Sequence, residues 1–429
     1  MILTSILTIS LFIFWILGLW CFPPNFDARS YSHEIFYITG AIAWLWMAIC
    51  LVIAARPSWI EKVFRSPIDR LYVFHKWLGF AAVAMAFVHY FVKDIFGPIL
   101  RLIWTLPKPP KKEVLADPAF WDLVWSMSRT VAKESSVWLT WIALILVLLC
   151  LTKKIPYKRW LKIHSIFAWV FIFLSLHSLR LMKVSDFYMP FGLSIVAITV
   201  IGLWASINLL RKGPGWQKKM KASVTSILKV GSDCIRLEMK TPLGKEVLPG
   251  QFMFLHLPGD EGHPFSIAEF NNDEVTLWIK KSGDFTKSLP ERLHTGDIVE
   301  VEGPWGEFIP ILSKEPQSWC AAGIGIAPFS AWLKAAAKKK HGSITLFWTV
   351  KDQRTAPFAE AVRKAAEEAD VHLMLIDKSQ ARLTVKQIMQ DKPEFVAFCG
   401  LSLLQKQLRN ENCSKNLIIK HEVFNWRDI

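Results

Sequence analysis

The chain has 429 residues, of which 52% are hydrophobic and 21 are Trp, and it carries a formal net charge of +15. That length allows two or three domains, and such apolar content beside so much basic charge excludes a uniform soluble protein, pointing instead to apolar spans joined by Lys- and Arg-rich loops. Basic charge alone would also suit nucleic acid, but no such motif is present and half the chain is too apolar for that use, so nucleic acid is set aside as a partner.

Six apolar segments, each about long enough for roughly 30 Å of hydrocarbon, run over 2–22, 34–55, 70–92, 137–152, 160–180 and 190–210. The first lacks a basic leading region and ends in bulky Trp20-Cys21-Phe22, so it reads as a retained span rather than a cleaved signal. Basic connections follow the second span (Arg56, Lys62, Arg65), the fourth (Lys153, Lys154, Lys158, Arg159, Lys162) and the sixth (Arg211, Lys212, Lys218, Lys219, Lys221). By the positive-inside tendency these loops face the cytosol, which puts the N-terminus and everything after 211 inside, in a plasma (inner) membrane. Within the long third connection, 95–106 and 120–125 read as helices lying on the outer membrane surface. The seven Cys form no CxxC pair and fall in spans or in the cytosolic half, so no disulfide framework is expected.

Four histidines sit in the third and fifth spans: His75 and His89, spaced by 14, and His164 and His177, spaced by 13. Ionisable side chains are expensive inside a bilayer, and their default reading is functional. Fourteen residues advance about 21 Å along a helix and return within about 40° of the same face. Each span thus offers one imidazole near each leaflet, His75 and His164 inner, His89 and His177 outer, which suits two bis-imidazole haem irons stacked across the membrane. A spacing of 13 does not return to the same face, so periodicity alone leaves the second pairing open. Histidines hydrogen-bonded between helices are the plainer alternative. Arg180, beyond His177, suits either a haem propionate or the membrane surface.

After Gly213-Pro214-Gly215 the texture changes to alternating strands such as 224–228 and 274–279, with Gly and Pro turns, to about 313. From Trp319, short apolar strands at 319–322, 344–350, 372–376 and 395–399 alternate with helical patterns at 331–340 and 358–369, the cadence of a parallel α/β sheet. The expected fold is therefore a six-span α-helical membrane bundle (1–212), an antiparallel β-barrel (213–313) and an α/β parallel-sheet domain (314–429).

The paired histidines at 14 and 13 resemble the ferric-reductase-like membrane domain of the NADPH oxidase family over most of 34–210. Two further motifs, His263-Pro264-Phe265-Ser266 and, seventeen residues on, Gly283-Asp284-Phe285-Thr286, resemble the flavin elements of the ferredoxin-NADP reductase superfamily in its NADPH oxidase form. Gly303-Pro304-Trp305-Gly306 resembles the turn that closes that barrel, and Gly323-Ile324-Gly325-Ile326-Ala327-Pro328-Phe329 and Cys399-Gly400 resemble the nicotinamide elements. The resemblance implies Phe265 and Ser266 at the reactive edge of FAD, 283–286 at its pyrophosphate, and Gly323, Gly325, Pro328, Cys399 and Gly400 at the nicotinamide nucleotide. In the ending His421-Glu422-Val423-Phe424-Asn425-Trp426 it places an aromatic residue on the flavin, with Phe424 the first alignment and Trp426 its rival. Lys351 and Arg354 follow the second strand of the parallel sheet, where a 2′-phosphate would lie, so NADPH is favoured and NADH stays open.

An oxidoreductase is implied that carries electrons from cytosolic NADPH through FAD and two b-type haems to an outside acceptor. Superoxide formation from O2 is the first reading. Reduction of Fe³⁺ or Cu²⁺ chelates, supply to a partner protein, and a haem sensor or transporter with a vestigial reductase half are the alternatives. No EF-hand loop or proline-rich docking segment is present, so no regulatory subunit is expected; the oligomeric state is open.

Overall fold

The computed structural model describes residues 2–23, 28–103, 120–152, 155, 157–182, 187–410 and 417–422, and the chain divides into two compact units, Met1–Trp216 and Gln217–Ile429. The first unit is helical: α1 (Ile2–Cys21), α2 (Ala28–Ala55), the short α3 (Ile60–Phe64), α4 (Ile68–Ile103), α5 (Phe120–Leu151), α6 (Tyr157–Arg180) and α7 (Pro190–Lys212). Among the described residues, all of these but α3 contain stretches long and apolar enough to cross a membrane. Their outward faces carry Ile9, Trp20, Trp138, Ile145, Leu148 and Val200, all exposed. A continuous apolar exterior of that kind is unsustainable in water and is the surface expected against lipid.

The centre of this unit is α2, which packs on α4 and α7 while α6 packs on α5 and α7. Trp44 of α2 stacks on Phe171 of α6 at 3.9 Å and 5°, and its indole N–H donates to Thr199 Oγ1 of α7 at 2.9 Å. Three helices are thereby joined at one buried point. Two surface helices expected from the sequence do not exist as separate elements. The 95–103 stretch continues α4, and 120–125 forms the first turns of α5. A started helix gains a bond with each added residue, and from Phe120 to Leu151 there is no Gly or Pro to stop it. Helix α4 likewise runs on through Gly97-Pro98 and, at about 54 Å from its rise per residue, exceeds the thickness of the hydrocarbon.

The second unit opens with a closed antiparallel barrel of β1 (Lys219–Val230), β2 (Cys234–Lys240), β3 (Phe252–His256), β4 (His263–Phe270), β5 (Glu274–Lys280) and β6 (Ile298–Trp305) in the order β1-β2-β5-β4-β3-β6, with α8 (Asp284–Arg292) before the last strand. Alternate residues such as Leu237, Met239, Leu255, Val275, Leu277 and Val301 fill its interior, the period-2 pattern of a sheet with one buried face. Gly303-Pro304-Trp305, expected as a turn, ends strand β6, which closes the barrel by pairing with both β1 and β3. Trp305 is wholly buried and its Nε1 donates to Glu302 Oε1 at 3.1 Å.

A five-stranded parallel sheet follows, in the order β11-β10-β7-β8-β9. Its strands are β7 (Gln317–Ala322), β8 (Ile344–Val350), β9 (His372–Asp377), β10 (Phe395–Cys399) and β11 (Ile418–Glu422), and its helices are α9 (Ala327–Ala336), α10 (Ala359–Glu368), α11 (Val385–Ile388) and α12 (Ser402–Asn410). Strand β11 was not foreseen: its five residues pair with β10 alone, at the sheet edge. Barrel and sheet share a core, in which Trp278 of β5 stacks on Phe358 at 4.2 Å and 4°. Phe358 holds a left-handed backbone (φ 66°), unusual for a bulky residue. Lys334 of α9 adds an ion pair to Glu269 of β4 at 2.6 Å.

Candidate functional site

In the helical unit the four histidines come together as two pairs. The rings of His75 and His164 are 5.8 Å apart between centres at 66°, and those of His89 and His177 are 6.3 Å apart at 88°. Two metal–nitrogen bonds of about 2 Å and about 1 Å from each nitrogen to its ring centre add to roughly 6 Å, so each gap has the size for one iron between two imidazoles. Among the described residues no group of three or more His, Cys, Asp or Glu could hold a metal. Two-donor sites of this kind suit a metal that brings its remaining ligands with it, as haem iron does.

The Nδ1 atoms strengthen the fit. His75 Nδ1 lies 3.1 Å from Cys50 O, His89 Nδ1 2.9 Å from Phe36 O, and His177 Nδ1 3.0 Å from Ala132 O. A carbonyl only accepts, so Nδ1 carries the proton and Nε2 the lone pair, which is the tautomer a metal ligand requires. His164 Nδ1 meets Cys150 Sγ instead, at 3.2 Å. The acceptors come from two helices: α2 serves both histidines of α4, and α5 serves both of α6.

Sequence reading missed Gly40. A Cβ there would stand 2.8 Å from His89 Cε1 and Nδ1, so the bare backbone of α2 is what makes room for the ring. Phe36, one turn earlier, lies against the same imidazole at 3.8 Å. Arg180 is tied to α5, with its guanidinium 3.6 Å over the Trp125 ring and its Nε donating to Ser128 Oγ at 2.9 Å.

In the second unit β4 presents His263-Pro264-Phe265-Ser266, and the first turn of α8 brings Phe285 beside it. His263 stacks on Phe285 at 3.7 Å, and Phe265 lies 6.3 Å from the same ring. The two motifs thus meet in one aromatic layer. Burial holds the His263 imidazole below its ordinary pKa, against the opposing pull of Glu261 and Asp260. Ser266 is buried, and among the described residues its Oγ has no protein partner. A buried hydroxyl left so is costly, and a flavin ring atom is a partner that fits it. At 283–286 the Thr286 hydroxyl accepts from the N–H groups of Ser282 and Gly283, both at 3.0 Å. The hydroxyl therefore shapes the helix start, leaving the N-terminus of α8 as the group suited to a pyrophosphate.

The turn Gly323–Ile326 joins β7 to α9, which begins at Ala327-Pro328. A Cβ at Gly325 would stand 2.5 Å from Cys399 O and 3.2 Å from its Sγ, so the loop and Cys399-Gly400 lie in contact across adjacent strands. Trp348 of β8, unremarked in the sequence, donates its indole N–H to Gly323 O at 2.9 Å and holds this loop. Burial, with Glu422 adding to it, pushes the Cys399 thiol well above its ordinary pKa, so it stays protonated. Lys351 and Arg354 lie just beyond β8. Arg354 is exposed and pairs with Asp352 at 3.6 Å. The loop is pinned where Gln353 N donates to Asp377 Oδ2 at 3.3 Å, and Ser379 keeps that carboxyl below the usual range. Phe424 and Trp426 lie outside the described residues.

Comparison with known proteins adds two family matches: residues 39–175 to the ferric reductase like transmembrane component, and residues 218–309 to an FAD-binding domain. Curated relatives match parts of the chain. The ferredoxin reductase component of 3-ketosteroid-9-alpha-monooxygenase from Mycolicibacterium smegmatis is 27% identical over 202 residues, 44% of this chain and 54% of that protein. The electron transfer subunit of dihydroorotate dehydrogenase B from Caldanaerobacter subterraneus is 32% identical over 28% of this chain and 49% of its own length. Human NADPH oxidase 3 is 27% identical over 32% of this chain and 28% of its own length. The chain thus spans about half or less of the length of these relatives. Among solved structures, the FAD/NAD-binding domain of a Vibrio cholerae nitric oxide dioxygenase covers 48% of this chain and 98% of its own, at 18% identity and a TM-score of 0.42.

Proposed function

Since the chain has the layout of the NADPH oxidase and ferric reductase family, a ferric reductase-like transmembrane component followed by an FAD-binding domain, we propose that it is an oxidoreductase of the plasma (inner) membrane. It carries electrons from cytosolic NADPH to an acceptor on the far side, with O2 as that acceptor and superoxide as the product. FAD and two b-type haems are its cofactors: FAD exchanges a hydride for single electrons, and each haem supplies a one-electron centre.

The chain's own residues do the rest. His75 with His164, and His89 with His177, hold iron through Nε2 because their Nδ1 atoms are engaged elsewhere. Ser266 Oγ hydrogen-bonds the flavin ring, His263, Phe265 and Phe285 wall it, and the N-terminus of α8 at Gly283-Asp284 meets the pyrophosphate. The 323–328 loop, with Cys399 and Gly400, seats the nicotinamide, where a protonated thiol adds bulk without charge. Lys351 and Arg354 would meet the 2′-phosphate, and Phe424, with Trp426 as its rival, would supply the aromatic cover of the flavin face.

The observation that carries this reading is the pair of imidazole gaps, each of a size for one iron, inside a bundle with an apolar exterior. Superoxide-dismutase-sensitive cytochrome c reduction by the purified protein, supplied with NADPH and FAD, tests the acceptor. Fe³⁺-chelate reduction insensitive to the dismutase, with no oxygen consumed, would replace O2 by a metal chelate. Pyridine-haemochrome stoichiometry tests the ligands: two haems in the parent and one in each of the four single His→Ala variants is expected, and two retained in any variant removes that histidine.

A further inference from the structure

His164 stands apart from the other three candidate ligands in what its Nδ1 meets. Three imidazoles face a main-chain carbonyl; His164 faces the Cys150 thiol at 3.2 Å. Trp160, one turn earlier on α6, lies parallel to the His164 ring at 4.9 Å and 8°, and its indole N–H donates to Cys150 O at 3.2 Å. Cys150 and Trp160 therefore form a bracket: the indole fixes the plane of the imidazole and is itself anchored to the residue whose sulfur meets Nδ1. Cys150 stands in the penultimate position of α5, at the end of a membrane span.

The chemistry of that contact depends on the direction of the proton. A thiol that donated to Nδ1 would leave the proton on Nε2 and remove His164 as a ligand. With iron at Nε2, Nδ1 carries the proton and sulfur accepts it, and sulfur is a weak acceptor beside a carbonyl oxygen. A strong acceptor at Nδ1 raises the basicity of the imidazole and so favours the oxidised metal; a weak one withholds that effect. On the reading that His164 holds haem iron, we propose that Cys150, steadied by Trp160, is a positioning residue that limits the donor strength of His164. It keeps the His75/His164 iron easier to reduce than a carbonyl in the same place would.

The test is a redox titration of the purified, haem-loaded protein followed optically, with low-temperature EPR of the oxidised form. Cys150→Asn puts a carbonyl acceptor where the sulfur stands. It is expected to lower the reduced-to-oxidised ratio of one haem at a fixed potential by about tenfold, equivalent to about 59 mV for one electron, while the second haem stays put. Cys150→Ala, which shortens the side chain and should fold, is expected to free the ring and change the low-spin g values of that same haem. His164→Ala calibrates both. If it retains two haems, the ligand reading fails and the inference goes with it. If it retains one haem while both Cys150 variants leave potentials and g values unmoved, the ligand reading stands and the proposed role of Cys150 is overturned.

Discussion

Replacing Gly40 with Ala probes the packing around His89 without touching a ligand. The added methyl would stand 2.8 Å from two atoms of the His89 ring, and ordinary carbon contacts begin near 3.5 Å, so the ring must retreat by roughly 0.7 Å. Retreat strains the 2.9 Å bond between Nδ1 and Phe36 O. Overpacking of this kind costs about 1–3 kcal/mol, and losing an outer partner of a metal ligand costs about 10–100-fold in affinity. The expected result is one haem instead of two per chain by pyridine haemochrome, with FAD content and membrane yield unchanged. Gly79→Ala on α4 is the control, because its Cβ would meet Cys50 Sγ only at 4.0 Å, an ordinary contact. Two haems with unaltered spectra in Gly40→Ala, or equal loss in Gly79→Ala, would refute the packing argument.

Three further outcomes follow from the second unit. Replacing both Lys351 and Arg354 with Ala should raise KM for NADPH about tenfold or more while leaving NADH turnover in place, as expected for lost charge-assisted contacts; steady-state kinetics with both nucleotides decide it, and an unchanged ratio removes the two residues from the phosphate site. Phe424→Ala should alter NADPH turnover and NADH discrimination with haem content intact; if Trp426→Ala does so and Phe424→Ala does not, the aromatic cover is Trp426. His263, held below the ordinary imidazole pKa by burial, favours the fold in its neutral form. Its contribution is complete above pH of about 6.5 and is lost as pH falls toward the depressed native value. FAD retention and thermal stability should decline below that pH and decline less in His263→Asn; identical pH profiles would show that His263 is not the titrating group.

What the sequence disclosed and what it hid divide by mechanism. Spans, barrel strands and parallel strands were legible because each imposes a period of apolar residues on neighbouring positions, whereas 263–266, 283–286 and 323–329 stand out in the sequence only as short runs of residues. The end of a span was legible only as the point where apolar residues stop, and a helix does not stop there: α4 and α5 run on past the apolar stretch. Strand β11 is five residues at a sheet edge, too short for a period to declare itself. Gly40 works through the absence of a side chain, and Phe36, Cys50 and Ala132 through a carbonyl that every residue possesses. None of these leaves a trace in residue type, and each partner lies at least 25 positions from its histidine.

The unequal spacings, 14 on α4 and 13 on α6, gain a physical meaning from those acceptors. On α4 the two imidazoles return to within about 40° of one face, and their acceptors Cys50 O and Phe36 O are themselves 14 apart on the neighbouring α2. Equal spacings on two packed helices let both histidines meet the same kind of group, a main-chain carbonyl. On α6 a spacing of 13 leaves the second imidazole about 140° from the first on an ideal helix, and the partners on α5 are Ala132 O and Cys150 Sγ, 18 residues apart. A carbonyl sits close to its helix axis and reaches one direction; a side chain extends further and swings. One of the two histidines on α6 is served by a side chain instead of a carbonyl, and Trp160, parallel to its ring, supplies the planar support that a swinging sulfur does not. Moving His164 one residue back along α6, by the paired change Ile163→His and His164→Ile, restores the 14-residue spacing. It should turn the imidazole away from Cys150 and lower the occupancy of that haem site alone. Retention of two haems with parent-like g values in that double variant would show that both the spacing and the contact with Cys150 had been over-read.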